Sequence, residues 1–243
     1  MAVERIDKIL SSQNTEGRSA AKALIKAGRV TADGRTVRRP DEKFDPEAVE
    51  IKIDGKPVKL SRFVYIMMNK PRGVLSASTD RHAKTVIDLL PAEMKRRGLF
   101  PAGRLDKDTV GFILITDDGE LAHKMLSPKS HVYKLYEAEC DRELTEDDAR
   151  AFAEGISAGS EAFMPAEMKI TGEKTALVEI CEGKFHQIKK MFHAVGTEVT
   201  ALKRLRIGQV FLDENLAPGE SRYLTEQEIV DLLDRKHGIC HKN

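Results

Sequence analysis

Residues 101–119 decide the fold of this chain, and they read Pro-Ala-Gly-Arg-Leu-Asp-Lys-Asp-Thr-Val-Gly-Phe-Ile-Leu-Ile-Thr-Asp-Asp-Gly. The stretch begins as a polar loop with Pro101 and Gly103, continues into the apolar block Phe112 to Ile115, and stops at Asp117-Asp118-Gly119. This order of polar, apolar and turn-forming residues predicts a loop, a buried strand and a turn. A side chain just before such a strand is held by rigid scaffold and can still face a cleft.

Asp106 is the candidate reactive group of this loop, because it is a carboxylate placed just ahead of the buried strand. Asp108 follows two residues later, but a loop does not fix both side chains on one face, so we do not predict a carboxylate pair. The alternative is that Asp106 caps a turn or pairs with Arg104 at the surface, because aspartate is common in turns. Residue types alone leave both interpretations open.

The residues around Asp106 favour the reactive interpretation. Gly103-Arg104-Leu105-Asp106, Asp108-Thr109 and Gly111, followed by the apolar strand and Thr116-Asp117-Asp118-Gly119, resemble the catalytic motif of the pseudouridine synthases. The version present here is similar to the branch that modifies bacterial ribosomal RNA, typified by the small-subunit (16S) enzyme. In that family the aspartate of the motif is catalytic, so the resemblance implies this role for Asp106.

Composition limits the class of protein. A chain of 243 residues with 41% hydrophobic content forms one large domain or a small domain joined to a mid-sized one, and its net charge of +1 identifies no partner. The three cysteines are far apart in sequence, which indicates a reducing compartment and argues against a disulfide framework or a thiolate metal site. No apolar signal core and no apolar run of roughly 20 residues is present. We therefore expect a soluble, cytoplasmic protein without membrane contact. His186 and His193 are too widely spaced for ligands one helical turn apart, and we expect no metal.

The first part of the chain contains two predicted helices and a basic surface. Apolar residues at helical spacing predict helices over 3–11 and 17–27, the second ending at Gly28. On the second helix Arg18, Lys22 and Lys26 are four residues apart and form one basic stripe. A local excess of base is the electrostatic footprint of a phosphate-binding surface, although an ordinary solvated face is the alternative.

The same part of the chain resembles the S4 RNA-binding domain of ribosomal proteins and RNA-modifying enzymes. The matching stretches are Arg5-Ile6-Asp7-Lys8-Ile9-Leu10, Arg18-Ser19-Ala20-Ala21-Lys22 and Gly28-Arg29-Val30-Thr31-Ala32-Asp33-Gly34. The resemblance implies an S4-like domain at residues 1–60 that contacts RNA through its basic residues. These are Arg5, Lys8, Arg18, Lys22, Lys26 and Arg29.

The rest of the chain is predicted to form a catalytic domain at 61–236, with a flexible tail at 237–243. Periodicity and turn residues predict strands at 63–68, 112–115, 134–140, 162–170, 175–181 and 201–208, and helices at 85–90, 120–126, 144–156, 184–195 and 225–233. Residues 91–98 are predicted to be a basic surface connection. Together with the resemblance, this predicts an α/β (α+β) fold class, in which a small S4-like domain precedes a mixed, largely antiparallel sheet flanked by helices.

Two further motifs supply partners for Asp106. Tyr136 would be assigned to the core by its strand position, but Lys134-x-Tyr136 resembles the family's second motif, in which the tyrosine packs on the target base and is a candidate for proton transfer. Tyr133 is its nearest rival. In Gln187-Ile188-Lys189-Lys190-Met191, part of the third motif, Lys189 matches the basic partner of the catalytic aspartate.

Much of the wider family has arginine at this position, whereas the small-subunit branch has lysine, so the resemblance at Lys189 favours that branch. An ammonium cannot form the bidentate fork of arginine, so it holds the carboxylate less rigidly. The alternative for Lys189 is a solvated helix lysine. Lys190 extends the basic face of that helix and is a predicted RNA contact. Lys70, in a stretch similar to the opening of the family's catalytic domain, either touches RNA or lies in a solvated turn. Arg104 is placed to fill the space left by the target base or to hold a phosphate.

The predicted function is isomerisation of one uridine of 16S ribosomal RNA to pseudouridine, with Asp106 as the nucleophile on a base turned out of its stack. No cofactor is expected, because the reaction needs no redox step or group donor. The expected partner is 16S RNA, either naked or in a small-subunit assembly intermediate, and the protein is expected to act as a monomer. The alternatives are a large-subunit (23S) enzyme of the same family, a non-catalytic RNA-binding assembly factor, and a nucleoside or glycoside hydrolase that uses Asp106. The basic stripe argues against the hydrolase.

Overall fold

The computed structural model describes residues 3–13, 17–58, 60–127 and 130–239. The chain forms two compact units: one contains residues 1–64 and 90–99, and the other contains residues 65–89 and 100–243. The first unit thus includes residues 90–99, which the predicted boundary at residue 60 assigned to the catalytic domain. None of the helices in the described ranges is long and apolar enough to cross a membrane.

The first unit packs two helices against short strands. Its elements are β1 (Glu4–Arg5), α1 (Ile6–Gln13), α2 (Gly17–Lys26), β2 (Val30–Ala32), β3 (Arg35–Thr36), β4 (Lys43–Phe44), β5 (Ile51–Ile53) and β6 (Lys56–Pro57). The strands pair in the orders β3-β2-β5-β6 and β1-β4. Apolar residues at helical spacing, including Ile6, Leu10, Ala21 and Ile25, form one core with Val30. The predicted helices are therefore present, with the first one starting later than expected.

The segment 90–99 belongs to the first unit and is more than a surface connection. It contains a short 3₁₀ helix, Ala92–Met94, followed by the buried Arg96. The Arg96 guanidinium donates to the carbonyl oxygens of Ser61 and Arg62, each at 2.9 Å. Two charge-assisted hydrogen bonds to backbone explain why a charged side chain is buried here.

The second unit is built on one large sheet. Its strands are β7 (Tyr65–Lys70), β8 (Phe100–Ala102), β9 (Val110–Thr116), β10 (Lys134–Cys140), β11 (Ser157–Ala158), β12 (Glu161–Ala162), β13 (Glu167–Gly172), β14 (Thr175–Ile180), β15 (Val199–Ile207), β16 (Val210–Phe211) and β17 (Ser221–Tyr223). Its helices are α3 (Gly119–Leu126), α4 (Glu146–Glu154), α5 (Gln187–Ala194) and α6 (Glu226–Asp231).

The main sheet has the strand order β13-β14-β10-β15-β9-β7-β17, with β8 added to β9 and β16 added to β15. Its pairs are antiparallel except that β15 runs parallel to β9, where Arg204 lies opposite Gly111. At this crossing Gly111 has φ +98°, and a Cβ atom there would lie 2.3 Å from the Arg204 carbonyl oxygen. The strand that carries the Asp106 loop therefore requires glycine at this position.

Local capping explains where the helices of the second unit begin. The Asp118 carboxylate accepts hydrogen bonds from the backbone N–H groups of Glu120 and Leu121, which starts α3. Thr145 and Asp148 form a reciprocal capping box at the start of α4. Burial and the hydrogen bond from Arg142 act in opposite directions on Asp148, and the hydrogen bond dominates, so that the pKa falls to about 2.

Three expectations for this unit are corrected. Residues 85–90 form turns and a bridge between Thr85 and Leu75, with no helix, because the Asp88 carboxylate accepts from the Thr85 backbone and holds a turn. The strand expected over 162–170 starts later and is β13. The start of the predicted flexible tail is anchored, because Gly238 N–H donates to Glu179 Oε2 at 2.7 Å. Residues 240–243 lie outside the described residues.

Candidate active site

The Asp106 loop is held through its backbone by Lys70, at the end of β7. Lys70 is 0% exposed, and its ammonium donates to the carbonyl oxygens of Asp106 at 3.0 Å and Thr109 at 2.8 Å. Burial lowers the pKa of Lys70 to about 8, although nearby carboxylates oppose that shift. The predicted surface contact of Lys70 with RNA is therefore wrong, because the ammonium is buried and donates its hydrogen bonds to the loop that presents Asp106.

A second lysine, Lys189 on α5, meets the side chains of the same loop. Its ammonium lies 2.7 Å from both oxygens of Asp108 and 3.7 Å from Asp106 Oδ2. The hydrogen bond from Lys189 lowers the pKa of Asp108 below its usual value. The structure thus brings together the predicted Asp106 and Lys189, and adds Asp108 as the closer partner, which a loop of unknown conformation does not predict.

His186 is a further neighbour of Asp106 that the sequence does not single out. It precedes α5 with φ 54°, in the left-handed region, and its Nε2 lies 3.3 Å from Asp106 Oδ1. The preceding loop is fixed by Gln187, whose side chain accepts from the Lys184 backbone N–H and donates to Glu182. His186 directly precedes the third-motif residues Gln187 to Met191, and this adjacency is the sequence feature that could have pointed to it.

Asp106 opens into a cavity of about 390 Å³. The wall opposite the loop comes from β10, β14 and β15, whose alternate side chains face this side of the sheet. Among its lining residues are Arg104, Asp106, Leu126, Lys134, Tyr136, Ile180, His186, Lys189, Leu202 and Arg204. The Asp106 side chain is 27% exposed, so that the carboxylate is available to a molecule in the cavity.

Tyr136 is buried in the cavity wall beside two cations. Arg204, which is also buried, donates to the carbonyl oxygen of Phe112 at 2.7 Å and to the Tyr136 hydroxyl at 3.4 Å. Lys134 lies on the same wall, and its burial, followed by the positive charge of Arg204, lowers its pKa to about 8. Tyr133, the rival of Tyr136, instead contacts the ring of His237. The sequence contains Arg204 in a predicted basic strand, but gives no sign that its side chain turns inward.

The predicted RNA contacts differ in how much of their charge is already neutralised. Arg18, Lys22 and Lys26 are exposed on α2 and form no ion pair within 4.0 Å among the described residues, although the charges of Arg18 and Lys22 contribute, after Arg5, to lowering the pKa of Asp7. Other predicted RNA contacts form ion pairs with carboxylates: Arg5 with Asp7, Lys8 with Glu4, Arg29 with Asp54, and Lys190 with Glu161. Arg104 is exposed at the cavity. The predicted stripe on α2 and Arg104 are therefore the members of this set that form no ion pair among the described residues and can meet a phosphate backbone.

One cluster of potential metal ligands occurs away from the cavity. Ligand atoms of Glu167, Glu179 and His237 lie within 4.8 Å of one another. Glu179, the buried member, is already bound by the Arg206 guanidinium and by Gly238 N–H. A guanidinium on the central carboxylate opposes a cation at the same place, so this cluster gives no support to a metal centre.

Comparisons with known proteins agree with this geometry. Residues 64–194 match the model of the RNA pseudouridylate synthase family, and residues 4–49 match that of the S4 domain. An uncharacterized RNA pseudouridine synthase of Bacillus subtilis (strain 168) is 46% identical over 93% of this chain and 96% of its own length. The ribosomal small subunit pseudouridine synthase A of Yersinia pestis is 39% identical over 94% of this chain and 97% of its own length.

A crystal structure of a pseudouridylate synthase covers 94% of this chain and 99% of its own, with a TM-score of 0.66 and 34% identity. The resemblance and the fold class predicted from the sequence are confirmed by these matches. The family match spans the Asp106 loop, Tyr136 and Lys189, and the S4 match includes the exposed stripe on α2. The chain therefore belongs to the RNA pseudouridylate synthase family and is an isomerase that converts uridine in RNA to pseudouridine, with an S4 domain at its N-terminal end.

Proposed function

We propose that this enzyme modifies one uridine of 16S ribosomal RNA and that Asp106 is its nucleophile. The observation that carries the proposal is the position of the Asp106 carboxylate, which is partly exposed at a cavity of about 390 Å³ and lies 3.7 Å from the Lys189 ammonium. Such a carboxylate can attack or stabilise an oxocarbenium-like ribose C1′, as in glycoside cleavage. The Lys189 ammonium beside it places a positive charge next to this carboxylate.

The reaction breaks the bond from ribose C1′ to N1 of uracil, turns the detached base, and forms a bond from C1′ to C5. The proton on C5 is removed and N1 ends with a proton, so that no atom is gained or lost overall. Tyr136 is assigned to pack on the base in the cavity, with its hydroxyl as the candidate proton acceptor at C5. The hydrogen bond from Arg204 to that hydroxyl supports the assignment by fixing where the oxygen lies.

The base must leave its stack to reach Asp106, which requires a few kcal/mol that RNA contacts must supply. The exposed stripe of Arg18, Lys22 and Lys26 is assigned to hold the phosphate backbone without choosing the base. Support for 16S RNA comes from relatives named for the ribosomal small subunit, at 38–39% identity. The proposal includes a monomer that acts in the cytoplasm on 16S RNA or a small-subunit assembly intermediate.

Tritium release from RNA labelled at uridine C5 tests this proposal. Wild-type protein and Asp106→Asn are compared on 16S transcripts, 23S transcripts and partly assembled small subunits. We expect release that depends on Asp106 and is greatest with small-subunit RNA, while Asp106→Asn still binds it. Undiminished release by Asp106→Asn would refute the nucleophile assignment. Preference for the 23S transcript would refute the choice of subunit, and free uracil among the products would indicate hydrolysis.

A further inference from the structure

The rim of the Asp106 cavity carries an exposed aromatic ring that the proposed reaction does not use. Phe185 is 66% exposed, which is unusual for a residue of this size and apolarity. Its sequence neighbours Lys184 and His186 both line the cavity. Single exposed apolar side chains are common on protein surfaces, so the exposure of Phe185 gains its meaning from the cavity beside the ring.

The ring of Phe185 is held in place by its neighbours. It stacks on the His186 ring, with centroids 3.8 Å apart and planes inclined by 20°, and His186 in turn contacts Asp106. The short loop behind it is fixed by Glu182, which accepts from the Met164 backbone N–H at 3.0 Å. Much of the entropy lost on binding is therefore already lost in the free protein.

The surroundings of Phe185 are cationic. The Lys190 ammonium lies 5.4 Å from the centre of its ring, while Lys184 and Arg104 are exposed nearby on the cavity lining. Aromatic rings among cations are the recurring arrangement of single-stranded nucleic-acid sites, in which the rings stack on bases and the cations follow the phosphates. Lys190 and Lys184 already pair with Glu161 and Glu182, so Arg104 is the cation of this group that a nucleic-acid phosphate would meet, beside an aromatic ring that a base can cover.

We propose that Phe185, supported by His186, is the stacking site for an unpaired base next to the target uridine. This inference rests on the proposed binding of that uridine beside Asp106. When the uridine leaves its stack, a neighbouring base loses a stacking partner. The exposed ring replaces that partner at the mouth of the cavity, and it accepts any base because every base has an aromatic face. The enzyme would thus require a flexible, single-stranded segment around its target.

The test compares Phe185→Leu, which removes the aromatic face, with Phe185→Tyr, which keeps it. The modified position in a 16S transcript is located first. Tritium release is then measured on that RNA and on two abasic versions of it, each of which lacks the base of one nucleotide flanking the target. Tyr223→Leu is the matched control, because Tyr223 is a 46% exposed aromatic residue on β17 that does not line the cavity. The free energy of unfolding of each variant shows whether the fold is retained.

We expect Phe185→Leu to raise KM about tenfold, with the single-turnover rate at saturating enzyme within about twofold of wild type. Phe185→Tyr and Tyr223→Leu should keep the wild-type KM. On RNA that lacks the flanking base that stacks on Phe185, wild type and Phe185→Leu should have the same KM, because the ring then has no base to contact. An unchanged KM, or a loss that persists on both abasic RNAs, would overturn the inference while wild-type turnover upheld the proposed function. Absence of turnover by the wild type would instead overturn the proposed function.

Discussion

Two lysines hold the Asp106 loop, one through its backbone and the other through its side chains. Lys70 is fully buried and binds carbonyl oxygens, whereas Lys189 is 24% exposed and binds carboxylates. Carbonyl groups do not neutralise the ammonium, so burial lowers the pKa of Lys70 to about 8. Two lysines thus have different roles in this loop. Lys70 stabilises its backbone conformation, and Lys189 supplies the positive charge beside its carboxylates at the cavity.

Replacement of Lys70 is expected to have the largest effect on stability. Lys70→Met removes hydrogen bonds from an ammonium to buried carbonyl oxygens and should lower the free energy of unfolding of the second unit by about 3 kcal/mol. Turnover should fall with it, because the loop is no longer held. Hydrogen exchange of the amides in β7 and β9 measures this unit separately from the first. Equal protection in Lys70→Met and wild type would contradict the role of Lys70.

Replacement of Lys189 should affect chemistry and spare stability. We expect Lys189→Met to lower single-turnover tritium release about a hundredfold, the scale for loss of one preorganised electrostatic partner. Its free energy of unfolding should change by less than about 1 kcal/mol, because the ion pair is partly exposed. Lys189→Arg is the control that keeps the charge and should recover most of the rate. If Lys189→Met kept more than half of the wild-type rate, Lys189 would have no role in the reaction and would be an ordinary solvated lysine.

Alkaline pH should enlarge the difference between wild type and Lys70→Met. The folded pKa of Lys70, about 8, is below the unfolded value of 10.5, so between these values the unfolded chain retains a proton that the folded protein has released. The contribution of Lys70 to the free energy of unfolding therefore rises with pH, by up to roughly 1.4 kcal/mol per pH unit. Unfolding of both proteins at pH 8 to 10, at low and high salt, measures this widening. If the difference in free energy of unfolding between the two proteins became smaller as the pH rises, burial would not be what sets the pKa of Lys70.

The smallest effect is expected from Asp108→Asn. This change removes the closer partner of Lys189 and leaves its ammonium 3.7 Å from Asp106 Oδ2, free to approach it. Tritium release should stay within about threefold of wild type, and stability should fall by about 0.5 kcal/mol at most. Asp106→Asn, which should lose turnover altogether, is the reference. If both replacements abolish turnover, the two carboxylates act as a pair.

Local sequence features were enough to predict the elements that carry the site. The loop before β9 and the alternation of apolar and polar residues in β10 depend only on residues close in sequence. The family resemblance then selected Asp106, Tyr136 and Lys189 from these elements. The roles assigned to those three residues stay predictions until turnover is measured.

The roles of Lys70, Asp108 and Arg204 were not predictable in the same way. Lys70 donates to a carbonyl 36 residues away, and Lys189 reaches Asp108 across 81 residues. Arg204 faces the cavity because β15 pairs with β10 and β9 in one particular register, and a shift by one residue would turn it to the other face. In a linear sequence each of these charges is equally compatible with a solvated position.

The parallel strand β15 also determines when the enzyme can first work during its synthesis. β15 is among the last strands of the second unit to be made, yet it lies between β10 and β9. Until β15 has left the ribosome, the main sheet can form only as two parts, in which β9 pairs with β7 and β8, and β14 pairs with β10 and β13. Both β9 and β10 then lack their β15 partner, which leaves unpaired edge groups that favour aggregation. Insertion of β15 joins the two parts of the sheet and brings Arg204 beside Tyr136. A nascent chain therefore carries Asp106 for about a hundred residues before it has a complete cavity around it.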